Sequence, residues 1–197
     1  MRLSDPRIKP LSMARLTPEQ AEVLAPLGAG GVIPAGPVLN IFRTLAHAPK
    51  ALQAFLTWGN YILSRKNDLP PREREIVILR TGFLCRSGYE WTQHVEIGLR
   101  CGLTPDEISR LKAGPDAGWS AADAALLRAT DELHADQFIA NESWAALLGH
   151  FSEKQAMDVV FTAGQYTQVC MMLNTFGVQL DPGQTLDPDL QRADGGR

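Results

Sequence analysis

Four short segments carry the mark of a helix beginning: Thr17-Pro18-Glu19-Gln20, Thr104-Pro105-Asp106-Glu107, Ser120-Ala121-Ala122-Asp123 and Ser152-Glu153-Lys154-Gln155. In each, a hydroxyl residue stands three positions before an acidic or amide side chain. That spacing lets the two side chains satisfy each other's orphaned backbone N–H groups at a helix start. Two of the four place proline at the first helical position, where its missing N–H costs nothing. Alternating β-branched runs flanked by hairpin turns are not found. The chain is therefore expected to be all-α. Helices are predicted over about 18–24, 38–47, 50–65, 70–85, 88–101, 105–113, 120–135, 141–150 and 153–176. Gly102 and Gly177 fall where helices should stop.

The 197 residues suit one domain with a real core. Three parts are expected: an N-terminal arm and loop over 1–36, a helical domain over 37–178 and a polar C-terminal tail over 179–197. The stretch "PLGAGGVIPAGP" (26–37) reads as a loop, and its "GAGG" lacks the pattern and preceding strand of a phosphate loop. The tail, rich in breakers, reads as extended or disordered. A net charge of -3 leaves no basic footprint, so nucleic acid is not an expected partner. No apolar run approaches the roughly 20 residues of a membrane span, and "MRLSDPRIKPLSMARLTPEQ" lacks the apolar core of a signal peptide. Cytoplasmic location is the expectation. Cys85, Cys101 and Cys170 form no CxxC pair and read as small buried apolar residues.

Chemistry concentrates in residues 70–101, a predicted helical hairpin. Its first helix, with "EIVILRTGFL", is too apolar for a surface helix and should be central or covered by a neighbouring subunit. Glu75 and Arg80 lie within that run, where a charge needs a partner. The second helix contains "SGYEWTQH", residues 87–94. Glu90 and His94 are four apart and share a helix face. A carboxylate beside an imidazole orients it and raises its basicity, as a general base requires. The same pair could equally be a solvated or buried ion pair that only locks the hairpin. Tyr89 and Trp91 flank it as apolar walls of a possible substrate site. Arg80 either binds a substrate carboxylate or pairs with Glu75. Tyr166, on the last helix, could hydrogen-bond a substrate or be a satisfied core tyrosine. His47 is a helix-capping histidine or a pocket-lining one. Trp58, Trp119 and Trp144 read as core or interface. The four histidines show neither HxH nor HExxH spacing, and no metal site is expected.

"EIVILRTGFLCRSGYEWTQHVEIGLRCGLTPDEI" (75–108) resembles the core motif of the carboxymuconolactone decarboxylase family, whose superfamily includes alkyl hydroperoxidase D (AhpD). AhpD-type members read E-x11-C-x-x-C-x-x-x-H. Counted from Glu75, the cysteine positions fall at Ser87 and Glu90, and the histidine at His94. Glu90 and His94 match the Glu-x-x-x-His of decarboxylase-type members. "LNIFRTLAHAPKAL" (39–52), "SAADAALLRATDEL" (120–133) and "GQYTQVCMMLNTFGV" (164–178) extend the resemblance to roughly 37–178, in longer members with a "YEW-x-x-H" signature.

The resemblance implies an AhpD-like helical fold and a cofactor-independent acid/base enzyme. Its substrate would be a small unsaturated lactone or oxo-acid of aromatic-compound catabolism, undergoing decarboxylation, lactone hydrolysis or isomerisation. His94 would be the general acid/base, with Glu90 and Glu75 as its carboxylates and Arg80, Tyr89, Trp91, Tyr166 and His47 toward substrate. One rival is AhpD-like peroxidase chemistry, which needs a low-pKa thiol and a resolving partner. Cys85 stands two residues before the first family cysteine position and Cys101 seven beyond His94, so neither rebuilds that pair. The other rival is a non-catalytic helical oligomer. Apolar helices and the resemblance together imply a homo-oligomer, a trimer or a hexamer of trimers, with a dimer next.

Overall fold

The structure, a computed structural model, describes residues 2–28 and 36–191. Among these, nine α-helices and two short 3-10 turns follow one another without a strand. The helices are α1 (Pro18–Leu24), α2 (Asn40–Leu45), α3 (Pro49–Leu63), α4 (Pro71–Leu84), α5 (Gly88–Arg100), α6 (Pro105–Leu111), α7 (Ala121–Asp136), α8 (Asn141–Leu148) and α9 (Glu153–Phe176). All the predicted helices form, most within two residues of their expected ends. The "GAGG" loop lies mostly outside the described residues.

The predicted starts work as local chemistry requires. Thr17, Thr104 and Ser152 each close a reciprocal box with Gln20, Glu107 and Gln155. Ser120 caps α7 in one direction only, accepting from the Asp123 N–H at 3.1 Å. Each such cap contributes about 1 kcal/mol. α9 stops at Gly177, whose φ of +70° lets its own N–H and that of Val178 return to the Leu173 carbonyl. A side chain there would also meet the N-terminal arm, since a Cβ would lie 3.0 Å from the Asp5 carbonyl oxygen.

α4 is the axis of the molecule. Every residue from Arg74 to Gly82 is buried, because α5, α7 and α9 all pack on it. It needs no neighbouring subunit to cover it, as a helix apolar all round can be buried within its own chain. The main core joins Ile76, Val77 and Leu79 of α4 to Trp91, Leu126, Leu127 and Val159. A second cluster lies under the N-terminal arm, where Leu24, Ile41, Phe42 and Leu52 meet Tyr89 and Leu173. Trp119 and Trp144 are partly buried against the main core, whereas Trp58 is 41% exposed.

The tail departs from expectation. As far as Gln191 it is docked on the domain rather than loose. Asp181 accepts from the Tyr89 hydroxyl at 2.5 Å, the Gln93 amide at 2.8 Å and the Asn40 N–H at 2.8 Å. Asp187 accepts from the Trp91 indole at 3.1 Å and pairs with Lys112, and Leu190 enters the main core. Breaker-rich composition marked the absence of a long helix. It could not show that two aspartates would find buried donors.

Candidate active site

Two glycines decide how near α4 and α5 come. A Cβ at Gly82 would lie 3.6 Å from Glu90 Cγ, and one at Gly98 only 3.1 Å from both Leu79 and Leu103 side chains. The close approach brings Glu75 of α4 against Glu90 and His94 of α5. His94 donates from Nδ1 to Glu75 Oε2 at 2.7 Å, and its Nε2 forms an ion pair with Glu90 Oε1 at 3.0 Å. All three residues are buried, with His94 6% exposed and Glu75 not exposed at all. The edge of the His94 ring meets the Tyr166 ring, with centroids 4.9 Å apart and planes at 85°.

Both ring nitrogens face carboxylates, which fits a doubly protonated imidazole. Burial alone would push His94 down, but the charges and hydrogen bonds of Glu75 and Glu90 outweigh it, raising its pKa from 6.5 to about 10. At neutral pH His94 is thus an imidazolium held between two glutamates. Such a histidine offers no lone pair to a substrate proton. It can act as an acid or pass protons between its two carboxylates. Glu75 Oε1 is buried without a hydrogen-bond partner, so one acceptor at the deep end stays open. Burial and the two carboxylates also push the Tyr166 phenol well above its ordinary value.

Glu75, Glu90, His94 and Tyr166 are therefore brought together. The other expected site residues are not. Arg80 pairs neither with Glu75 nor with open space. It makes a two-pronged contact with Asp131 of α7 at 2.6 and 2.8 Å and donates to the Leu111 and Lys112 carbonyls. Five positions separate it from Glu75, which turns it to another face of α4. Tyr89 is spent on Asp181 and the Ile41 N–H. Trp91 belongs to the main core and borders a groove of about 510 Å³ with Val95, Ile108, Lys112 and Leu186. Residues 91 and 95 lie about 100° around α5 from 90 and 94, which turns them toward this groove. His47 bonds the Lys9 carbonyl at 3.0 Å and ties down the N-terminal arm.

Sequence reasoning passed over Arg74, a buried cation beside Glu75 whose charge acts on Tyr166. The signal was available, since Arg74 opens the same greasy run. It also treated the cysteines singly. Cys85 and Cys101 are half-buried, not buried, and Cys85 Sγ lies 3.7 Å from His134 Nδ1. Among the described residues, no three His, Cys, Asp or Glu side chains are grouped to hold a metal ion.

The all-helical domain, built around the α4–α5 hairpin, has an AhpD-like fold. Residues 49–132 match the model of the carboxymuconolactone decarboxylase family. Solved structures agree on the fold. An uncharacterised peroxidase-related protein with an alkylhydroperoxidase AhpD core, from Ralstonia eutropha JMP134, superposes with a TM-score of 0.75 at 20% identity, covering 89% of this chain and 93% of that one. An uncharacterised peroxidase-related protein from Silicibacter sp. TM1040 also reaches 0.75, at 14% identity over 91% and 95% of the two chains. The debrominase Bmp8, crystallised with 2,3,4-tribromopyrrole, reaches 0.73 at 14% identity over 91% and 94%. No curated protein matches the sequence.

Proposed function

We propose that the protein is a proton-transfer enzyme of the carboxymuconolactone decarboxylase kind, acting on a small unsaturated lactone or oxo-acid of aromatic-compound catabolism. The observation that carries this reading is the Glu75–His94–Glu90 relay, with a hydrogen bond of 2.7 Å on one side and an ion pair of 3.0 Å on the other. Glu90 is the working end. It is less deeply buried than Glu75, and it can take the Nε2 proton of the imidazolium and pass it outward while Glu75 holds the other ring nitrogen. In a decarboxylation, the bond to the departing CO2 breaks and its electron pair enters the conjugated system. The Nε2 proton of the His94 imidazolium then passes through Glu90 to the far carbon, and solvent restores the proton to His94. Tyr166 supports the imidazole edge from α9. Lactone opening and isomerisation would draw on the same proton path. A compact unsaturated ring is also in keeping with the tribromopyrrole held by the debrominase neighbour.

Two coarser properties belong to this reading. The enzyme works as a homo-oligomer, supported by an apolar face on α3 and α9 where Trp58, Met157 and Val160 stand 41%, 48% and 36% exposed. It works in the cytoplasm, supported by three cysteines free of disulfides. Among the described residues no helix is long and apolar enough to cross a membrane.

The test is turnover of a panel of unsaturated γ-lactones and oxo-acids, followed by ultraviolet absorbance and CO2 release. At least one member should be consumed. Glu90→Gln should slow its consumption by roughly a hundredfold or more, the usual worth of a positioned acid, while the thermal melt stays near that of the parent. Full activity in that variant would remove Glu90 from the chemistry.

A further inference from the structure

Buried polar side chains without hydrogen-bond partners gather on the α3 side of the relay. Gln165 of α9 is 5% exposed, and its amide has no hydrogen-bond partner among the described residues. Tyr166 beside it is as deeply buried, and its hydroxyl has none either. Arg74 of α4 is 7% exposed. One of its N–H groups donates to the Ser64 carbonyl at 3.3 Å, while its buried Nε has no acceptor. Arg72 and Arg80 on the same helix each pair with an acidic side chain. Arg74 pairs with none among the described residues. Buried polar groups are nearly always satisfied, and a buried cation without an anion is the costliest exception.

Helix α3 sets these groups in a row. The Ser64 carbonyl that receives Arg74 closes α3, at the negative end of that helix. Ile62, two residues earlier, packs with Tyr166 and with Ile78, which stands one turn beyond Arg74 on α4. Gln165 meets α3 at Gly59, where a Cβ would lie 3.9 Å from its Nε2. From Gly59 to Ser64 the helix rises about 7.5 Å. An amide, a phenol and a guanidinium thus follow one another over the length of a small organic acid. The middle one, Tyr166, meets the edge of the His94 ring. Gly59 has no packing reason of its own. Glycine weakens a helix interior, and a methyl group at 59 would make only ordinary contact. What the missing side chain provides is space in front of the Gln165 amide, at a half-buried position.

We propose that Arg74 and Gln165 bind the substrate at the relay and select anionic substrates over neutral ones. Arg74 takes a carboxylate of an organic acid in its planar fork. Gln165 takes an oxygen at the other end, and the carbon chain lies along Tyr166. The substrate enters beside Gly59. The inference rests on reading Glu75, His94 and Glu90 as the catalytic group.

The test is binding to the whole protein at pH 7. The probe is cis,cis-muconate, an unsaturated diacid, with its dimethyl ester as the neutral counterpart. Calorimetry gives the affinity, and proton NMR of the His94 ring reports whether the probe sits at the relay. The parent should bind muconate with the His94 signal moved, and the ester roughly tenfold less tightly or worse. Arg74→Met and Arg74→Lys should each weaken muconate by roughly tenfold or more and leave the ester as it was. Gln165→Leu should weaken both ligands several-fold. Gly59→Ala should melt at or above the parent temperature and still bind muconate more weakly, which separates binding from folding. The proposal is overturned if the parent does not bind muconate, or binds it without moving His94. It is equally overturned if Arg74→Lys or Gly59→Ala binds muconate as tightly as the parent. The expected binding pattern without turnover of any lactone or oxo-acid would remove the proposed reaction and leave the binding residues in place.

Discussion

A histidine between two buried carboxylates stores a proton in the folded state that the unfolded chain would release. The folded pKa of His94, about 10, lies above its ordinary 6.5. The stabilisation is therefore complete below about pH 6.5 and is lost as pH rises through 10. The shift corresponds to a few kcal/mol at order-of-magnitude level, or a melting temperature lower by about 10 °C at pH 10 than at pH 7. Scanning calorimetry across that window checks this. A variant neutral at all three positions (Glu75→Gln, His94→Gln, Glu90→Gln) should show a much flatter profile. Proton NMR of the His94 ring gives a second reading, because its shift should not move between pH 5 and 8. Glu75→Gln removes one of the two carboxylates and should bring that titration downward toward neutrality. The single residue tells little of this, since E-x-x-x-H is common on exposed helices. Burial and the third member, Glu75, turn it into a charged relay.

At the scale of helices, the α4–α5 contact sets the site, and glycine sets the contact. Gly98→Ala should gain roughly 1 kcal/mol of helix propensity. It should lose about 2 kcal/mol by forcing a methyl against Leu79 and Leu103, both almost fully buried. A net loss of about 1 kcal/mol in urea unfolding is expected. Gly164→Ala on α9 is the control, since its Cβ meets nothing within 4 Å, and it should stabilise by about 0.5–1 kcal/mol. The α4–α7 contact has its own pin. Asp131→Ala leaves the buried Arg80 without its carboxylate and should cost about 2 kcal/mol, less than a fully buried pair because Asp131 is partly exposed. If Arg80 instead served substrate binding, the same change would alter KM and leave the melt in place.

Over the whole molecule, surface left uncovered and surface covered by the tail make opposite predictions. Trp58 stacks on Tyr61 at 5.2 Å and meets Phe161 edge-on, yet its outer side stays exposed beside Met157 and Val160. Light scattering should give a mass that is a multiple of 21.6 kDa. Trp58→Lys combined with Met157→Glu should return it to the single chain. A parent mass of one chain at all concentrations would end the oligomer proposal. The tail predicts the reverse of a dispensable segment. Ending the chain before residue 179 strips partners from Tyr89, Trp91, Gln93 and Asn40 at once. At about 1–3 kcal/mol for each buried group left unsatisfied, the truncated protein should melt at least about 10 °C lower or fail to stay soluble.

Local rules carried the helices. Caps, proline at first positions, glycine stops and the 3.6-residue period depend on neighbours within a few residues, and they placed α1 to α9 from the sequence. The pairing of Glu90 with His94 was legible for the same reason, being one helical turn. Everything that joins distant parts was decided by packing. Arg80 found Asp131 rather than Glu75, the tail aspartates found Tyr89 and Trp91, and Cys85 found His134. Each of these partners is chosen by which helix faces meet, and that depends on the side chains of several helices together. Local sequence sets where a helix runs and which residues share its face. Only the folded chain settles what that face meets, and with it the charge of His94.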